Sequence, residues 1–160
     1  MKEKTCCFTG HRIIPKGTLP GLLTELEQTL EYLIGRGVCY FCTGGALGFD
    51  TIAAEAVLRF RERAPQISLI LVLPCREQTK NWSRADVDRY QAILQKADQV
   101  VYVSQHYSQD CMLLRNRSLV DRSSICVAYC IRSTGGSAYT LNYAQKQGLE
   151  IIRLNKSCIR

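Results

Sequence analysis

The sequence predicts an α/β protein in which helices cover both faces of a doubly wound, mostly parallel sheet. Short apolar segments alternate with helix-like segments along the 160 residues of the chain. The segment ISLILVLP at residues 67–74 is apolar on both faces, as a central strand of a parallel sheet must be. No linker-like change of composition, repeat or low-complexity segment interrupts the chain, so we expect a single Rossmann-like domain over residues 1–160.

Two strands and two helices are predicted in the first half of the chain. TCCFT at residues 5–9 is typical of a short strand, and VCYFCT at residues 38–43 of a second one. Between them, leucines recur at helical spacing behind Thr18, a candidate N-cap, and Gly35 and Gly37 end this helix. The apolar face of the second helix consists of Ala53, Ala56, Val57 and Phe60.

The second half of the chain continues the alternation after the strand at residues 67–74. A long polar loop that contains Trp82 follows that strand. Further strands are predicted at residues 99–104, 124–131 and 150–154. The helices between them are predicted from Val87, Tyr90 and Leu94, from the segment 110–122, and from the residues that follow Gly135 and Gly136.

The overall composition is that of an ordinary globular protein with a mildly basic surface. The chain is 46% hydrophobic and 22% charged, and its formal net charge is +7. Its cations are scattered, which favours a solvated surface over a nucleic-acid surface, while an anionic ligand is compatible with both. The N-terminal segment lacks an apolar stretch of signal-peptide length, and residues 67–75 are too few to cross a bilayer. A cytoplasmic protein without a membrane partner is therefore predicted.

The nine cysteines predict neither disulfides nor a metal site. Their number is odd, and no secretory signal accompanies them. Cys39 and Cys42 form a C-x-x-C pattern, but they fall in a predicted strand, where positions three apart point to opposite faces. Cys126 and Cys130 also fall in a strand-like segment. Most of the cysteines are therefore predicted to be small buried hydrophobic residues.

Glycine-rich loops between strands and helices predict a ligand site. In FCTGGALGFDTIAAEAV, at residues 41–57, three glycines separate a strand from a helix, and a second glycine pair precedes the last helix. The carboxyl ends of parallel strands share one edge of the sheet, where helix N-termini favour phosphates. The predicted ligand-binding residues are Gly10, His11, Arg12, Gly44, Gly45, Ala46, Gly48, Arg115, Asn116, Thr134, Gly135, Gly136 and Ser137.

A phosphate or pyrophosphate is the ligand that this pattern favours, with Arg12 and Arg115 as its charged partners. The alternative is that the glycines only permit sharp turns between strands and helices. The pattern is neither G-x-G-x-x-G nor a Walker loop, because no Gly-Lys-Ser/Thr sequence occurs. Ordinary NAD or ATP chemistry is therefore not indicated, and no cofactor is predicted.

Four side chains near these loops each have two interpretations. Asp50 would cap the second helix or bind a ribose, and it is also the candidate catalytic carboxylate. His11 fits a ligand contact as well as a loop histidine that is bonded within the protein. Trp82 and Tyr90 would stack on a base or cover the core.

Several segments of the chain resemble one known superfamily. TGGALGFDTIAAEAVL resembles the glycine-rich segment of the Smf/DprA proteins, which bind single-stranded DNA, and RNRSLVDRSSICVAYCIRSTGGSAYTLNYAQKQGLEIIRL resembles the second half of the same fold. FTGHR, EQTKNW and VYVSQHYS are similar to segments of the small stand-alone YpsA-like proteins. Together these proteins form the SLOG superfamily (Smf/DprA and LOG). The resemblance covers nearly the whole chain and implies a Rossmann-like fold.

The resemblance to the LOG enzymes bears on catalysis. These enzymes cleave the N-glycosidic bond of nucleoside 5′-monophosphates with a P-G-G-x-G-T-x-x-E motif, whose glutamate acts on the ribose. Gly135 and Gly136 match its glycine pair, and Arg115 matches an arginine of the upstream helix. Its third glycine, its threonine and its glutamate are replaced by Ala138, Tyr139 and Asn142. Since an amide cannot act as a general base, the resemblance implies a phosphate site without the acid–base group.

The sequence thus predicts a protein that binds a nucleotide or nucleotide-derived small molecule, as a sensor or regulator. Two alternatives stay open: a LOG-like hydrolase of the N-glycosidic bond of nucleotides, and a DprA-like binder of single-stranded DNA. Nucleic acid is the less favoured partner, because the charge is scattered and aromatic residues are sparse. DprA proteins act as dimers, so the resemblance also admits a homodimer.

Overall fold

Six parallel strands form the centre of the molecule. The structure, a computed structural model, describes residues 1–131 and 134–154. Within these residues the sheet has the order β4-β3-β2-β1-β5-β6, and every neighbouring pair of strands is parallel. The strands are β1 (Thr5–Gly10), β2 (Tyr40–Thr43), β3 (Ser68–Leu73), β4 (Gln99–Tyr102), β5 (Ile125–Tyr129) and β6 (Glu150–Arg153). The predicted α/β fold with a doubly wound parallel sheet is confirmed.

Five α-helices connect these strands. They are α1 (Leu19–Gly35), α2 (Phe49–Arg63), α3 (Arg84–Lys96), α4 (Cys111–Asp121) and α5 (Gly136–Lys146). Short 3₁₀ helices at Lys2–Lys4 and Lys16–Thr18 were not predicted from the sequence. Each predicted strand and helix is present, with ends that differ by a few residues from the sequence pattern.

Helix α1 shows how the leucine spacing determines packing. Leu22, Leu26, Leu30 and Leu33 are each at most 1% exposed, because residues three and four apart share one face of the helix. Thr18 occupies the N-cap position, but its hydroxyl donates to the carbonyl oxygen of Pro15 at 2.7 Å and does not accept from the helix. The predicted N-cap position of Thr18 is confirmed, but its side chain does not cap the helix, because the preceding 3₁₀ turn uses that hydroxyl.

Two layers of helices bury the two faces of the sheet. Alternate residues of β1 point to opposite sides, so that Cys6 and Phe8 pack with α1 and α2 while Cys7 packs with α4 and α5. Seven of the eight described cysteines are buried and all eight are free, which confirms most of them as small core residues. Among the residues that the structure describes, no cluster of three or more His, Cys, Asp or Glu could hold a metal ion.

The strand order reverses direction beside β1. The chain builds outward from β1 to β4, then returns to add β5 on the other side of β1, followed by β6. Ligands of open parallel sheets bind beyond the carboxyl ends of the strands at such a switch point. The ends of β1 and β5 therefore define where a ligand site is expected. In the described part of the chain, every helix is too short or too polar to span a membrane.

Candidate functional site

A cleft of about 320 Å³ lies at the carboxyl ends of β1 and β5. It is lined by residues that follow β1, by the first turn of α2, by α4, and by the start of α5. The sequence-predicted residues that line it are Gly10, His11, Arg12, Ala46, Asp50, Arg115, Asn116, Thr134, Gly135, Gly136 and Ser137. The topology therefore brings together residues from four separate segments of the chain.

The start of α5 is open toward this cleft. Gly135 is the N-cap residue, with φ +103°, and Gly136 is the first residue of the helix. A Cβ atom built on either glycine would meet no atom of the described residues within 4 Å. The first N–H groups of a helix have no partner within the helix, and its N-terminus carries a partial positive charge. This helix end can therefore receive an anion in the cleft.

Other glycines of the predicted site are instead packed against protein atoms. A Cβ atom at Gly44 would lie 2.6 Å from Nη1 of Arg115, and one at Gly45 would lie 2.5 Å from the Leu73 side chain. At Gly48 it would collide with the carbonyl oxygen of Arg12. Gly45 and Gly48 also have positive φ values of +70° and +79°. Close packing and turn geometry thus account for these glycines without a ligand.

Both glycine pairs were predicted to lie in one site, and the structure brings only the second pair to the cleft. Gly44, Gly45 and Gly48 are absent from the residues that line it. Gly10 does line it, yet a Cβ atom there would lie 2.5 Å from the ring of Phe49. Close packing against protein atoms therefore explains the glycines in the turn between β2 and α2.

Arg115 is buried beneath the cleft and bonded within the protein. Only 5% of it is exposed. Its Nη1 donates to the carbonyl oxygen of Gly44, and its Nε donates to Oδ1 of Asn116 at 2.8 Å. Burial lowers the pKa of the Arg115 guanidinium, and the negative field of Asp50 opposes this effect. Arg115 thus holds the loop after β2 in place while its charge contributes to the field in the cleft.

Asp50 lies in the first turn of α2, and only 7% of it is exposed. Its Oδ2 accepts a hydrogen bond from the backbone N–H of Ala46 at 3.2 Å. The N-cap position belongs to Gly48, and no side chain caps this helix, so the interpretation of Asp50 as its cap is wrong. Burial raises the pKa of Asp50, and Arg115, the Ala46 N–H and Arg12 act in the opposite direction. The loop after β2 thus places a desolvated carboxyl group at the cleft.

His11 joins the loop after β1 to the connection between β5 and α5. Its Nε2 accepts from the backbone N–H of Ile131 at 2.9 Å, and its Nδ1 lies 3.4 Å from Oγ of Ser137. The ring also stands edge-on to Tyr129, with centroids 5.7 Å apart. These contacts support the interpretation of His11 as a histidine bonded within the protein.

Arg12 is the exposed cation of the cleft. It follows His11 at the end of β1 and lines the cleft, and its charge acts on both Asp50 and Arg115. An exposed guanidinium can turn toward an incoming anion and grip two of its oxygens. Of the two predicted arginines, Arg12 is thus the one that could contact a ligand without breaking a hydrogen bond or ion pair to a residue that the structure describes.

The predicted base-stacking aromatics lie outside the cleft. Trp82 and Tyr90 pack edge-to-face with ring centroids 5.5 Å apart, and both contact the main hydrophobic core. Tyr90 lines a separate cavity of only about 10 Å³. Their positions fit the alternative in which they cover the core.

Sequence reasoning missed the apolar wall of the cleft. Ile13 and Met112 line it, and Ile13 is 81% exposed. Met112 lies three residues before Arg115 in α4, so helical spacing would have placed both on one face. Asn142, at the position of the LOG glutamate, is exposed and absent from the cleft lining. Among the described residues that line the cleft, Asp50 is the one acidic residue.

Comparison with protein families gives a match over most of the chain. The YpsA family model, described as the YspA SLOG family, matches residues 18–154. The SPbeta prophage-derived protein YoqJ of Bacillus subtilis is 32% identical over 142 residues, which cover 81% of this chain and 83% of YoqJ. The UPF0398 protein YpsA of the same organism is 26% identical over 154 residues, which cover 90% of this chain and 86% of YpsA.

Comparison with solved structures gives the same fold. The DNA processing protein A (DprA) of Streptococcus pneumoniae superposes with a TM-score of 0.69 at 18% identity, over 95% of this chain and 50% of the DprA chain. DprA of Helicobacter pylori, whose structure concerns a single-stranded DNA binding mode, gives a TM-score of 0.66 at 19% identity. That match covers 93% of this chain and 64% of the DprA chain. The present chain thus spans half to two thirds of these DprA chains.

Proposed function

Since the chain belongs to the YpsA SLOG family, we propose that its cleft binds the phosphate of a nucleotide or nucleotide-derived small molecule. Such binding would serve a sensor or regulator. The observation that carries the proposal is the open helix start at Gly135 and Gly136. These two glycines line the cleft, and among residues 1–131 and 134–154 no atom lies within 4 Å of where their Cβ atoms would be.

The contrast between the glycines supports a ligand at α5. Packing accounts for Gly10, Gly44 and Gly48, where a side chain would collide with protein atoms. In the described part of the chain no neighbour accounts for Gly136, whose φ lies outside the left-handed region and whose Cβ atom would have room. A glycine in a helix costs about 0.5–1 kcal/mol relative to alanine. An approaching anion is a physical reason to leave this site without a side chain.

The charge and the size of the cleft also fit a small phosphate ester. Arg12 adds an exposed cation beside the helix start, and buried Arg115 adds a second positive field. A volume of about 320 Å³ lies at the lower end of the range of small-molecule sites. The apolar side chains of Ile13 and Met112 give a nucleobase or another ring a surface to lie on.

Single-stranded DNA is the competing ligand because of the likeness to DprA. Proteins that hold a strand combine an extended basic groove with aromatic rings on which successive bases stack. In this chain Trp82 and Tyr90 are packed on the core, and the cleft has a volume of only about 320 Å³. These features favour a small ligand over a strand.

Calorimetric titration of the protein with nucleoside monophosphates, ADP-ribose, NAD and a short oligodeoxynucleotide tests the proposal. We expect a mononucleotide or ADP-ribose to bind, with a weak dependence on salt, because few phosphates are contacted. Arg12→Gln should lower the affinity about tenfold, since it removes one charge-assisted contact. Arg84→Gln is the matched control, because Arg84 is exposed and pairs with Asp88 on α3. The proposal would be wrong if the oligonucleotide bound with a steep salt dependence and no small nucleotide bound. That result would favour single-stranded DNA as the ligand.

A further inference from the structure

The cleft has an apolar side that core packing does not explain. Ile13 and Met112 both line it, and Ile13 is 81% exposed. The neighbouring Ile14 packs against the main hydrophobic core, so the core accounts for an apolar residue at position 14 but not at position 13. Single apolar residues are common on open protein surfaces, but Ile13 lies in the lining of a cleft and shares it with Met112. The two side chains therefore mark a place for an apolar part of a ligand.

Met112 is positioned by the buried arginine beneath the cleft. It lies in the first turn of α4 and is half-buried, and its Sδ accepts a hydrogen bond from Nη2 of Arg115 at 3.7 Å. A methionine sulfur makes favourable contacts with aromatic rings at a distance of about 5 Å, often at the ring edge. Because Arg115 holds its sulfur, Met112 offers a ligand an apolar surface that is already in place.

Ile13 is suited to contact a rigid, flat group. A β-branched side chain has few accessible χ1 rotamers, so it loses less conformational entropy on contact than a long flexible side chain does. Most of its apolar surface is in water and can still be covered. The free energy gained is proportional to the apolar area that leaves water, and an aromatic ring covers more of this area than a sugar hydroxyl group does.

The anion-binding part and the apolar part of the cleft come from different segments of the chain. The open helix start lies in the segment after β5, whereas Ile13 follows β1 and Met112 belongs to α4. A ligand that contacts both parts carries an anionic group at one end and a ring at the other. A nucleotide has this composition, whereas a sugar phosphate has the anionic group but lacks the ring.

We infer that the nucleobase of the ligand lies against Ile13 and Met112, so that the cleft selects nucleotides over sugar phosphates without a base. The inference rests on the proposed function, because it takes the phosphate to lie at Gly135 and Gly136. It goes further by making Ile13 a residue that determines specificity, and by giving the direction in which the ligand lies in the cleft.

The first measurement is calorimetric titration of the wild-type protein with nucleoside monophosphates, ADP-ribose, NAD and ribose 5-phosphate. At least one ligand with a base should bind about tenfold or more tightly than ribose 5-phosphate, because the base removes apolar surface from water. If ribose 5-phosphate binds as tightly as every nucleotide, the inference is wrong while the phosphate site of the proposed function stands. If none of these compounds binds, both are wrong.

The variant Ile13→Ser then assigns the selectivity to the apolar side of the cleft. We expect it to lower the affinity for the best nucleotide about tenfold and to leave the affinity for ribose 5-phosphate unchanged. Ile13→Leu keeps an apolar side chain of the same size and should retain nucleotide binding. Because Ile13 is exposed, thermal melts should show that both variants fold like the wild type.

Leu114→Ser is the matched control. Leu114 is an exposed apolar residue of α4 that does not line the cleft, so its substitution should leave both affinities unchanged. The inference would be overturned if Ile13→Ser bound the nucleotide as tightly as the wild type. An equal loss of affinity for the nucleotide and for ribose 5-phosphate would also overturn it, since that result would show a general effect on the cleft rather than a contact with the base.

Discussion

Arg115 donates a hydrogen bond to the carbonyl oxygen of Gly44, and a Cβ atom at Gly44 would lie 2.6 Å from the same guanidinium. The glycine and the buried arginine are therefore adapted to each other. The turn after β2 closes only because Gly44 leaves room for Arg115, and Arg115 satisfies the carbonyl group that this close approach buries. This relationship makes the loop a structural support of the cleft.

Substitution of Gly44 by alanine should therefore destabilise the fold. The added methyl group would displace the guanidinium, and overpacking of this kind typically costs about 1–3 kcal/mol. Urea unfolding measures the free energy of unfolding. Gly21→Ala on α1 is the control, because its Cβ atom would meet no atom within 4 Å, and it should keep or raise the stability. Equal stability of Gly44→Ala and the wild type would contradict the packing role of Gly44.

Removal of the Arg115 side chain should mainly lower the stability of the fold, because Arg115 is bonded within the protein. Arg115→Ala leaves the Gly44 carbonyl oxygen and Asp50 without their buried cation, so we expect a loss of about 3 kcal/mol. Arg117→Ala, which removes an exposed arginine from the same helix, should lower the stability much less. Thermal melts of the two variants without ligand make the comparison. A stable Arg115→Ala protein that has lost only nucleotide affinity would instead show a direct ligand contact.

The pH dependence of stability should reveal the buried carboxyl group of Asp50. Its pKa is raised in the folded state from the ordinary value of 3.8, chiefly by burial. The folded protein thus binds this proton more tightly than the unfolded chain does. The stabilising contribution is fully present below pH 3.8 and is lost as the pH rises through the folded pKa. We expect the stability of the wild type relative to Asp50→Asn to decrease with rising pH above 3.8, as measured by urea unfolding at several pH values. An increase over that window would contradict the assignment.

Little or no hydrolysis of the N-glycosidic bond of nucleoside monophosphates is expected. Asn142 stands at the position of the LOG glutamate, is exposed, and does not line the cleft. A neutral amide provides little stabilisation to a developing oxocarbenium ion. Chromatographic detection of free base released from purine monophosphates is the assay. Robust turnover that Asp50→Asn abolishes would identify an enzyme with Asp50 as its catalytic carboxylate.

Much of the fold could be predicted because its signals are local. The leucine spacing of α1, the doubly apolar segment that becomes β3, and the strand–helix alternation each depend on a few neighbouring residues. The cap at Thr18 could not be settled in this way, because the competing acceptor is the carbonyl oxygen of Pro15 in an unpredicted 3₁₀ turn.

The site was harder to predict because the glycines at the strand-to-helix connections look alike in the sequence. Gly45 precedes α2 and Gly136 begins α5, yet the Leu73 side chain fills the space beside Gly45, whereas no atom of the described residues fills the space beside Gly136. That difference is set by tertiary neighbours from distant segments. The same holds for Trp82 and Tyr90, whose packing on the core depends on how α3 meets the sheet.

The nucleotide affinity of Gly136→Ala tests the central claim most directly. A Cβ atom at this position meets no atom of the residues that the structure describes, so the variant should be at least as stable as the wild type while a methyl group occupies the start of α5. Gly21→Ala makes the same change in the first turn of α1, away from the cleft. We predict that Gly136→Ala weakens binding of the best nucleotide by about tenfold or more, the loss of one hydrogen bond to a charged group, and that Gly21→Ala leaves it unchanged. Unchanged affinity in a well-folded Gly136→Ala protein would contradict the claim that a phosphate binds at this helix start.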